Sequence, residues 1–416
     1  MKLRRPILIF VIYFILIIYL LELSVLVFLK KEHNLIDHNM DELKLMATKK
    51  IKNFDKRSDF LAFQQLKLEH ENLSPSFRIS EKHLFRGDYK NHIKNFYNSK
   101  IENDDKIPFR GPINKISLGS NEDGYREIIN NDKFGFKNSN KIYDKKINII
   151  VVGDSFAEGI PFGNENNIAS QITSNSKMNA LNLGIGGTGP LTSYATIKEY
   201  GENFQPETIL YLFYEGNDLD DLMIENKTFL NRYLSLKYSQ GLFESTEELK
   251  VFLDEYEEVF NKILTMKVQQ ENIKPKKILK NEPKYLESIS DFLELQSLKN
   301  LLFYSSTFNK QKVNFNLFEK VLKNMKITTK KWGGNLYFVY LPSWSRYNTN
   351  NFISNYFLKN KIRKIVEKNK IFFIDVDKIF KKNRVNNINS YNLGIYGHYT
   401  KEIYNLISKE LVKIIN

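Results

Sequence analysis

The chain has 416 residues, no cysteine and a formal charge of +14, from 62 lysines and arginines against 48 acidic residues. Its 42% hydrophobic content suffices for a large core and excludes a disordered protein. The lack of cysteine excludes disulfides, thiol nucleophiles and Cys-ligated metals. Basic residues are spread along the whole chain, which indicates a solvated surface suited to anionic lipid or glycan and predicts no nucleic-acid partner.

The first long apolar run extends from Pro6 to Leu29 and contains one charged residue, Glu22. As a helix it measures about 36 Å, enough to cross a bilayer. It is too long for a cleavable signal peptide and no small-x-small site follows it, so residues 1–32 are predicted to be a transmembrane anchor. The flanking charges are slightly heavier at the N-terminal side, which places the globular part on the periplasmic or extracellular side of the cytoplasmic membrane, with a single pass.

Two segments separate this run from the next regular pattern. Residues 33–73 are charged with little apolar periodicity, which predicts a stalk. Residues 74–145 are richer in aromatic and turn residues, and the stretch Asp123 to Asn138 has the punctuation of a hairpin. We interpret residues 74–145 as a small β-rich subdomain beside the main sheet.

From residue 146 to 416, strand-like and helix-like segments alternate, which predicts a parallel sheet covered on both sides. The last helix starts near Lys401, and residues 222–328 form an insertion with helical spacing, predicted to cap the cleft. The predicted strands are Ile147 to Val152, Met178 to Gly184, Glu207 to Tyr214, Asn335 to Leu341 and Ile371 to Val376.

The first of these strands ends at Gly153-Asp154-Ser155. A glycine at this point allows a sharp turn that lifts the next side chains above the sheet, so Ser155 is a candidate nucleophile. Gly-Asp-Ser by itself is equally compatible with an ordinary strand-to-loop turn. Serine needs an imidazole within hydrogen-bonding reach, and His398, just before the last helix, is the only histidine that follows Ser155 in the chain.

Two competing motifs point to other chemistries. Gly184, Gly186 and Gly189 spell a dinucleotide fingerprint, but the motif follows the second strand and Pro190 comes directly after it, so we predict no dinucleotide cofactor. The acidic run Asp218, Asp220, Asp221 lacks EF-hand spacing and is interpreted as a helix start, with no metal predicted.

Four blocks together carry a family resemblance: Gly153-Asp154-Ser155, the glycine-rich turn NLGIGGTGP after the second strand, Gly216-Asn217-Asp218 after the third, and the late His398. They resemble the blocks of the SGNH (GDSL-type) hydrolase superfamily. The resemblance implies a flavodoxin-like α/β/α sandwich. It also implies that Ser155 is the nucleophile, that His398 is the general base, and that the Ser155 N–H with Gly187 and Asn217 forms the oxyanion hole. Gly186 is the neighbouring alternative to Gly187.

One position departs from the family pattern, because Ile395 stands where the superfamily usually has an aspartate that orients the histidine. The site then works as a Ser155–His398 dyad, or another group such as Asp375 or a backbone carbonyl takes that role, or activity has been lost.

We therefore predict a membrane-anchored serine esterase or acyltransferase without cofactor, acting on acyl esters of envelope glycans or lipids. The alternative is an inactive module of the same fold for glycan binding or envelope assembly.

Overall fold

A computed structural model describes residues 4–33, 51, 53–80, 90–160, 162–273, 292, 293, 295, 313–348, 352–385, 390–392 and 397–415. The strands in this part of the chain are β1 (Phe77–Arg78), β2 (Arg110–Gly111), β3 (Ile116–Leu118), β4 (Ile128–Asn130), β5 (Ile149–Gly153), β6 (Ala180–Asn182), β7 (Thr208–Tyr214), β8 (Asn335–Leu341) and β9 (Phe372–Asp375). The α-helices of four or more residues are α1 (Arg4–His33), α2 (Asp59–Glu69), α3 (Lys90–Glu102), α4 (Ser155–Glu158), α5 (Ile168–Asn175), α6 (Pro190–Thr196), α7 (Asp218–Glu225), α8 (Thr246–Ile273), α9 (Phe315–Lys330), α10 (Ser345–Asn348), α11 (Phe352–Lys368), α12 (Val376–Lys382) and α13 (Lys401–Ile415).

The central sheet has five parallel strands in the order β6-β5-β7-β8-β9. Every residue of β5 is buried and so are the first six of β7, because strands covered on both faces need apolar side chains throughout. The five predicted strands are confirmed, with ends shifted by one to two residues at most positions. The α/β class is therefore correct.

Helices cover both faces of the sheet. One face packs against α6, α9 and α11, and α6 continues through a π-helical turn at Ile197–Gly201. The other face packs against α5, α12 and α13, whose buried side chains form a separate apolar cluster. The spacing of Ile403, Ile407 and Leu411 places all three on the buried side of α13, as the sequence predicts.

The segment predicted as a small subdomain shares its core with the sheet. Residues 74–145 contain two short antiparallel pairs, β1 with β2 and β3 with β4, together with α3. Phe77, Phe109 and Phe136 are at most 1% exposed and belong to the same apolar cluster as the β5 and β7 side chains on one face of the sheet, such as Ile150 and Tyr211. The segment is therefore an integral part of the α/β unit, held to it by continuous apolar packing.

The predicted stalk is packed in its C-terminal half. Helix α2 lies against α8, where the Phe63 and Phe260 ring centroids are 5.2 Å apart and Lys67 pairs with Glu257 at 3.4 Å. Residues 34–50 and 52 lie outside the described residues. The final part of the predicted stalk 33–73 therefore packs on the globular part of the chain, because α2 buries Ala62 and Phe63.

The described parts of the insertion, 222–273 and 313–328, do not form one cap. Helix α8 packs on the segment before the sheet, with the Phe77 ring 5.0 Å from the Tyr256 ring. Helix α9 contacts α6 and β8 and is one of the helices that cover the sheet. Most of residues 274–312 lie outside the described residues.

Helix α1 is continuous over 30 residues. Its side chains are described from residue 9 to residue 24, and residues 9–17 are all exposed. Among the residues whose side chains are described, which in α1 are residues 9–24 alone, no helix is long and apolar enough to cross a membrane.

Candidate functional site

The turn after β5 presents Ser155 at the carboxyl edge of the sheet. Gly153 has a φ of 150°, in the region that favours glycine, and a Cβ there would lie 2.5 Å from the Leu212 carbonyl oxygen. The Asp154 carboxylate then accepts the Phe156 N–H at 2.9 Å and begins α4. Ser155 is thus the first residue of a helical turn. The backbone can adopt this conformation because residue 153 is a glycine.

His398 lies within hydrogen-bonding distance of this serine. The Ser155 Oγ is 2.7 Å from His398 Nε2, across 243 residues of chain, whereas the Asp154 carboxylate is 3.4 Å away from that Oγ. The shorter distance favours a hydrogen bond from the Ser155 hydroxyl to His398 over one to Asp154. The two residues that the sequence pairs are brought together by the fold.

The other ring nitrogen of His398 contacts a residue that the sequence did not single out. Glu122 lies 2.8 and 2.9 Å from His398 Nδ1 through its two carboxylate oxygens, and it also accepts the His398 backbone N–H at 3.1 Å. A carboxylate at Nδ1 fixes the proton there and leaves Nε2 as the acceptor for the serine hydroxyl. Ser155, His398 and Glu122 thus form a connected Ser–His–Glu array.

Glu122 is held by the turn between β3 and β4. The Gly124 N–H donates to the Asn121 carbonyl at 3.1 Å, and Gly124 has a φ of 92°. This closes a β-turn with Glu122 at its second position. The Asp55 backbone binds the same turn through Asn121 Nδ2 at 2.8 Å and Gly124 O at 2.9 Å. The Asp123-Gly124 pair was the available sequence signal, although it predicts a turn and carries no information on what the turn contacts.

The structure does not place Asp375 at His398, although the sequence left it open as one of the possible orienting groups. Its carboxylate accepts from Arg363 at 2.7 Å and pairs with Lys359 at 3.2 Å. Asp375 ends the edge strand β9, three strands from β5, and both of its cationic partners lie on α11. Ile395 lies outside the described residues.

Burial and Glu122 have the two largest effects on the pKa of His398, and they oppose each other. Burial of the ring lowers its pKa, and the Glu122 carboxylate outweighs burial and raises the pKa above its ordinary value of 6.5. For Glu122, burial raises the pKa of the carboxyl, but the facing His398 outweighs burial and holds this pKa below its ordinary 4.5. An ionised Glu122 therefore faces a histidine that is more basic than a free one.

The two candidate oxyanion residues follow the strands on either side of β5. Gly187 follows β6 and has a φ of 76°, and no protein acceptor for its N–H is found among the described residues. The Gly186 N–H instead donates to the Glu158 carboxylate at 2.7 Å, which leaves Gly187 as the available donor of the pair. Asn217 follows β7 and uses one amide hydrogen on Asp221 at 2.6 Å, so a second hydrogen remains.

A buried ion pair holds the loop that carries Asn217. Glu215 is 3% exposed, pairs with Arg346, and accepts the Ser343 N–H at 3.0 Å. Asp218 accepts the Tyr214 N–H at 3.1 Å, and burial raises the pKa of Asp218 well above its ordinary value. Asp218 thus ties the end of β7 to the start of α7.

In the described ranges, no group of three or more His, Cys, Asp or Glu side chains is arranged to hold a metal ion. The glycines of the dinucleotide-like motif have packing roles, since a Cβ on Gly184 would lie 2.2 Å from the Glu158 nitrogen.

The chain matches no protein-family model and no curated protein.

Proposed function

We propose that the chain is an SGNH-type serine esterase or acyltransferase whose reacting groups are Ser155 and His398, with Glu122 as the acid that positions the histidine. The observation that carries this proposal is the continuous contact from Ser155 Oγ through both ring nitrogens of His398 to Glu122. The strand order β6-β5-β7-β8-β9, in which the first strand in sequence is second in space, is the flavodoxin-like order and supports the finer fold assignment.

The reaction follows from the hydrogen-bond directions. The Ser155 oxygen attacks the ester carbonyl carbon while its proton moves to His398 Nε2, and Glu122 stabilises the imidazolium that forms. Collapse of the tetrahedral intermediate breaks the bond to the leaving alcohol, which takes the proton from Nε2. Water or a sugar hydroxyl then attacks the acyl-enzyme with His398 again as base, which regenerates Ser155 and gives hydrolysis or transfer respectively.

The oxyanion of the intermediate needs donors that are already in place. We assign this role to the N–H groups of Ser155 and Gly187 and to the free amide hydrogen of Asn217. Loss of one such donor typically costs 10²- to 10³-fold in kcat. The substrates we propose are acyl esters of envelope glycans or lipids, and no step needs a cofactor.

The direct test is covalent labelling of the folded protein with a fluorophosphonate, which reacts only with an activated serine. We expect one labelled residue, Ser155, and no labelling of Ser155→Ala. Ser99→Ala removes an exposed hydroxyl elsewhere and should label like the wild type. A folded wild-type protein that takes up no label would overturn the esterase and favour a glycan-binding or assembly module.

We further propose that α1 anchors the protein in the cytoplasmic membrane, with the globular part on the periplasmic or extracellular side. The support is the apolar run of Pro6 to Leu29 and the exposure of residues 9–17 on all sides of the helix, where packing on protein would bury one side. A C-terminal alkaline phosphatase fusion should be active in cells, and a cytoplasmic reporter at the same place inactive. The reverse pattern would contradict the orientation.

A further inference from the structure

The glycine-rich turn after β6 is held by residues that precede the sheet in the chain. We propose that Ser80, supported by Arg78, is a positioning residue that fixes the Gly187 N–H as an oxyanion donor. The inference rests on the proposed function, because it assigns the means by which one of the three donors is preorganised.

The contact between Ser80 and the turn is direct and buried. The Ser80 hydroxyl donates to the Gly187 carbonyl oxygen at 2.5 Å, across 107 residues of chain, and Ser80 is 4% exposed. Burial removes competing water, so this hydrogen bond has no solvent substitute. It fixes the peptide group on the C-terminal side of Gly187.

The peptide group between Ile185 and Gly186 is fixed by Glu158, which is 1% exposed. Glu158 accepts the Gly186 N–H at 2.7 Å, binds Arg78 through both oxygens at 2.7 and 2.9 Å, and binds Arg110 at 2.9 Å. A bidentate guanidinium fixes the orientation of a carboxylate as well as its place. Arg78 therefore sets the direction in which Glu158 holds the turn.

A third contact fixes the far end of the turn. The Glu225 carboxylate accepts the Gly189 N–H at 2.6 Å and the Leu191 N–H at 3.0 Å. The one peptide group between the Glu158 and Ser80 contacts is that of Gly186 and Gly187, whose N–H has no acceptor among the described residues. This unoccupied donor is what an oxyanion requires.

The backbone of Gly187 needs a restraint because the residue is a glycine. Gly187 has a φ of 76°, and glycine moves more freely than other residues between backbone conformations of either sign of φ. Without the Ser80 contact, the donor has to be reorganised during the reaction, and catalysis loses part of the benefit of preset dipoles. The expected effect is smaller than removal of a donor, because Gly187 itself remains.

Ser80→Ala tests the proposal through kcat on a small aryl ester and through the affinity of a boronic acid, which forms a tetrahedral adduct on the serine. We expect kcat and boronate affinity to fall together by about tenfold, against the 10²- to 10³-fold for loss of a whole donor. KM should change little and the thermal midpoint should fall by only a few degrees. Ser80→Thr, which retains the hydroxyl, should restore kcat and boronate affinity. Ser76→Ala is the matched control, since its buried hydroxyl in the same segment has no hydrogen-bond partner among the described residues.

Arg78→Gln provides a second route to the same readouts if Ser80→Ala does not fold, because it loosens Gly186 through Glu158. Wild-type kcat and boronate affinity in both folded variants would overturn the inference, as would a loss of kcat with unchanged boronate affinity. A wild-type protein without turnover or fluorophosphonate labelling would instead contradict the proposed function itself.

Discussion

Ser155→Ala is expected to abolish ester turnover, with a loss in kcat of at least about 10⁴-fold, while the protein stays folded. The serine hydroxyl is half-buried and its hydrogen bond at 2.7 Å is to His398, so its removal leaves the backbone of the turn intact. Gly153 and the Asp154 cap determine the local conformation, and neither depends on the hydroxyl. Turnover of an aryl ester and the circular dichroism spectrum measure the two properties separately.

His398→Ala should be nearly as severe, and the double variant Ser155→Ala/His398→Ala little worse than either single one. Residues that act as one unit lose their function together, so their effects are not additive. His70→Ala provides the control for loss of a histidine away from the site. Losses that multiply in the double variant would contradict the pairing of Ser155 with His398.

Glu122→Gln is expected to lower kcat by about 10²- to 10⁴-fold with the fold intact. A carboxylate only accepts hydrogen bonds, so it imposes the tautomer with the proton on Nδ1 of His398. The glutamine amide can also donate to Nδ1, which favours the opposite tautomer and places a proton on Nε2, facing the serine. The loss is measured at the pH plateau, where the histidine is neutral.

The pH profile of kcat/KM distinguishes this role from a structural one. The base must be neutral, so wild-type kcat/KM should rise with pH through an apparent pKa above 6.5, the direction in which Glu122 shifts His398. In Glu122→Gln the largest effect that raises the pKa is removed, while burial still lowers it and Asp154 and Glu158 still raise it, so the apparent pKa should fall below that of the wild type. Asp375→Asn is the matched control and should leave the apparent pKa unchanged. A shift in the control, or none in Glu122→Gln, would mean that Glu122 does not set the charge state of His398.

The sheet was predictable because its strands are apolar on both faces and short, a pattern that depends on local sequence alone. Strand β8 coincides with its predicted bounds, Asn335 to Leu341. Ser155 and His398 were predictable for a related reason: residues after parallel strands collect at one edge of the sheet, and no other histidine follows Ser155. Neither of these two predictions requires knowledge of how distant loops pack.

The acid was not predictable by the same reasoning. Asp375 satisfies the rule for strand ends, but β9 is at the edge of the sheet and α11 supplies Arg363 to its carboxylate. Glu122 satisfies no such rule, since it lies on a turn before the first strand of the sheet. Its position depends on how the whole segment 74–145 packs on the sheet. The apolar residues of that segment indicate that it is buried, but they do not indicate which residues it contacts.

The Glu122 to His398 contact also has a consequence for the order of folding. The two residues are 276 positions apart, and His398 is 243 positions from Ser155. Closing loops of this length costs conformational entropy, which contacts made earlier have to offset. We therefore expect the three side chains to meet late, after the sheet and the N-terminal segment have docked. A ribosome-bound chain that has not yet released its last helix holds Ser155 without its base. If the proposed function holds, the hydroxyl is expected to stay unreactive during synthesis and to gain its reactivity only after the last helix has docked.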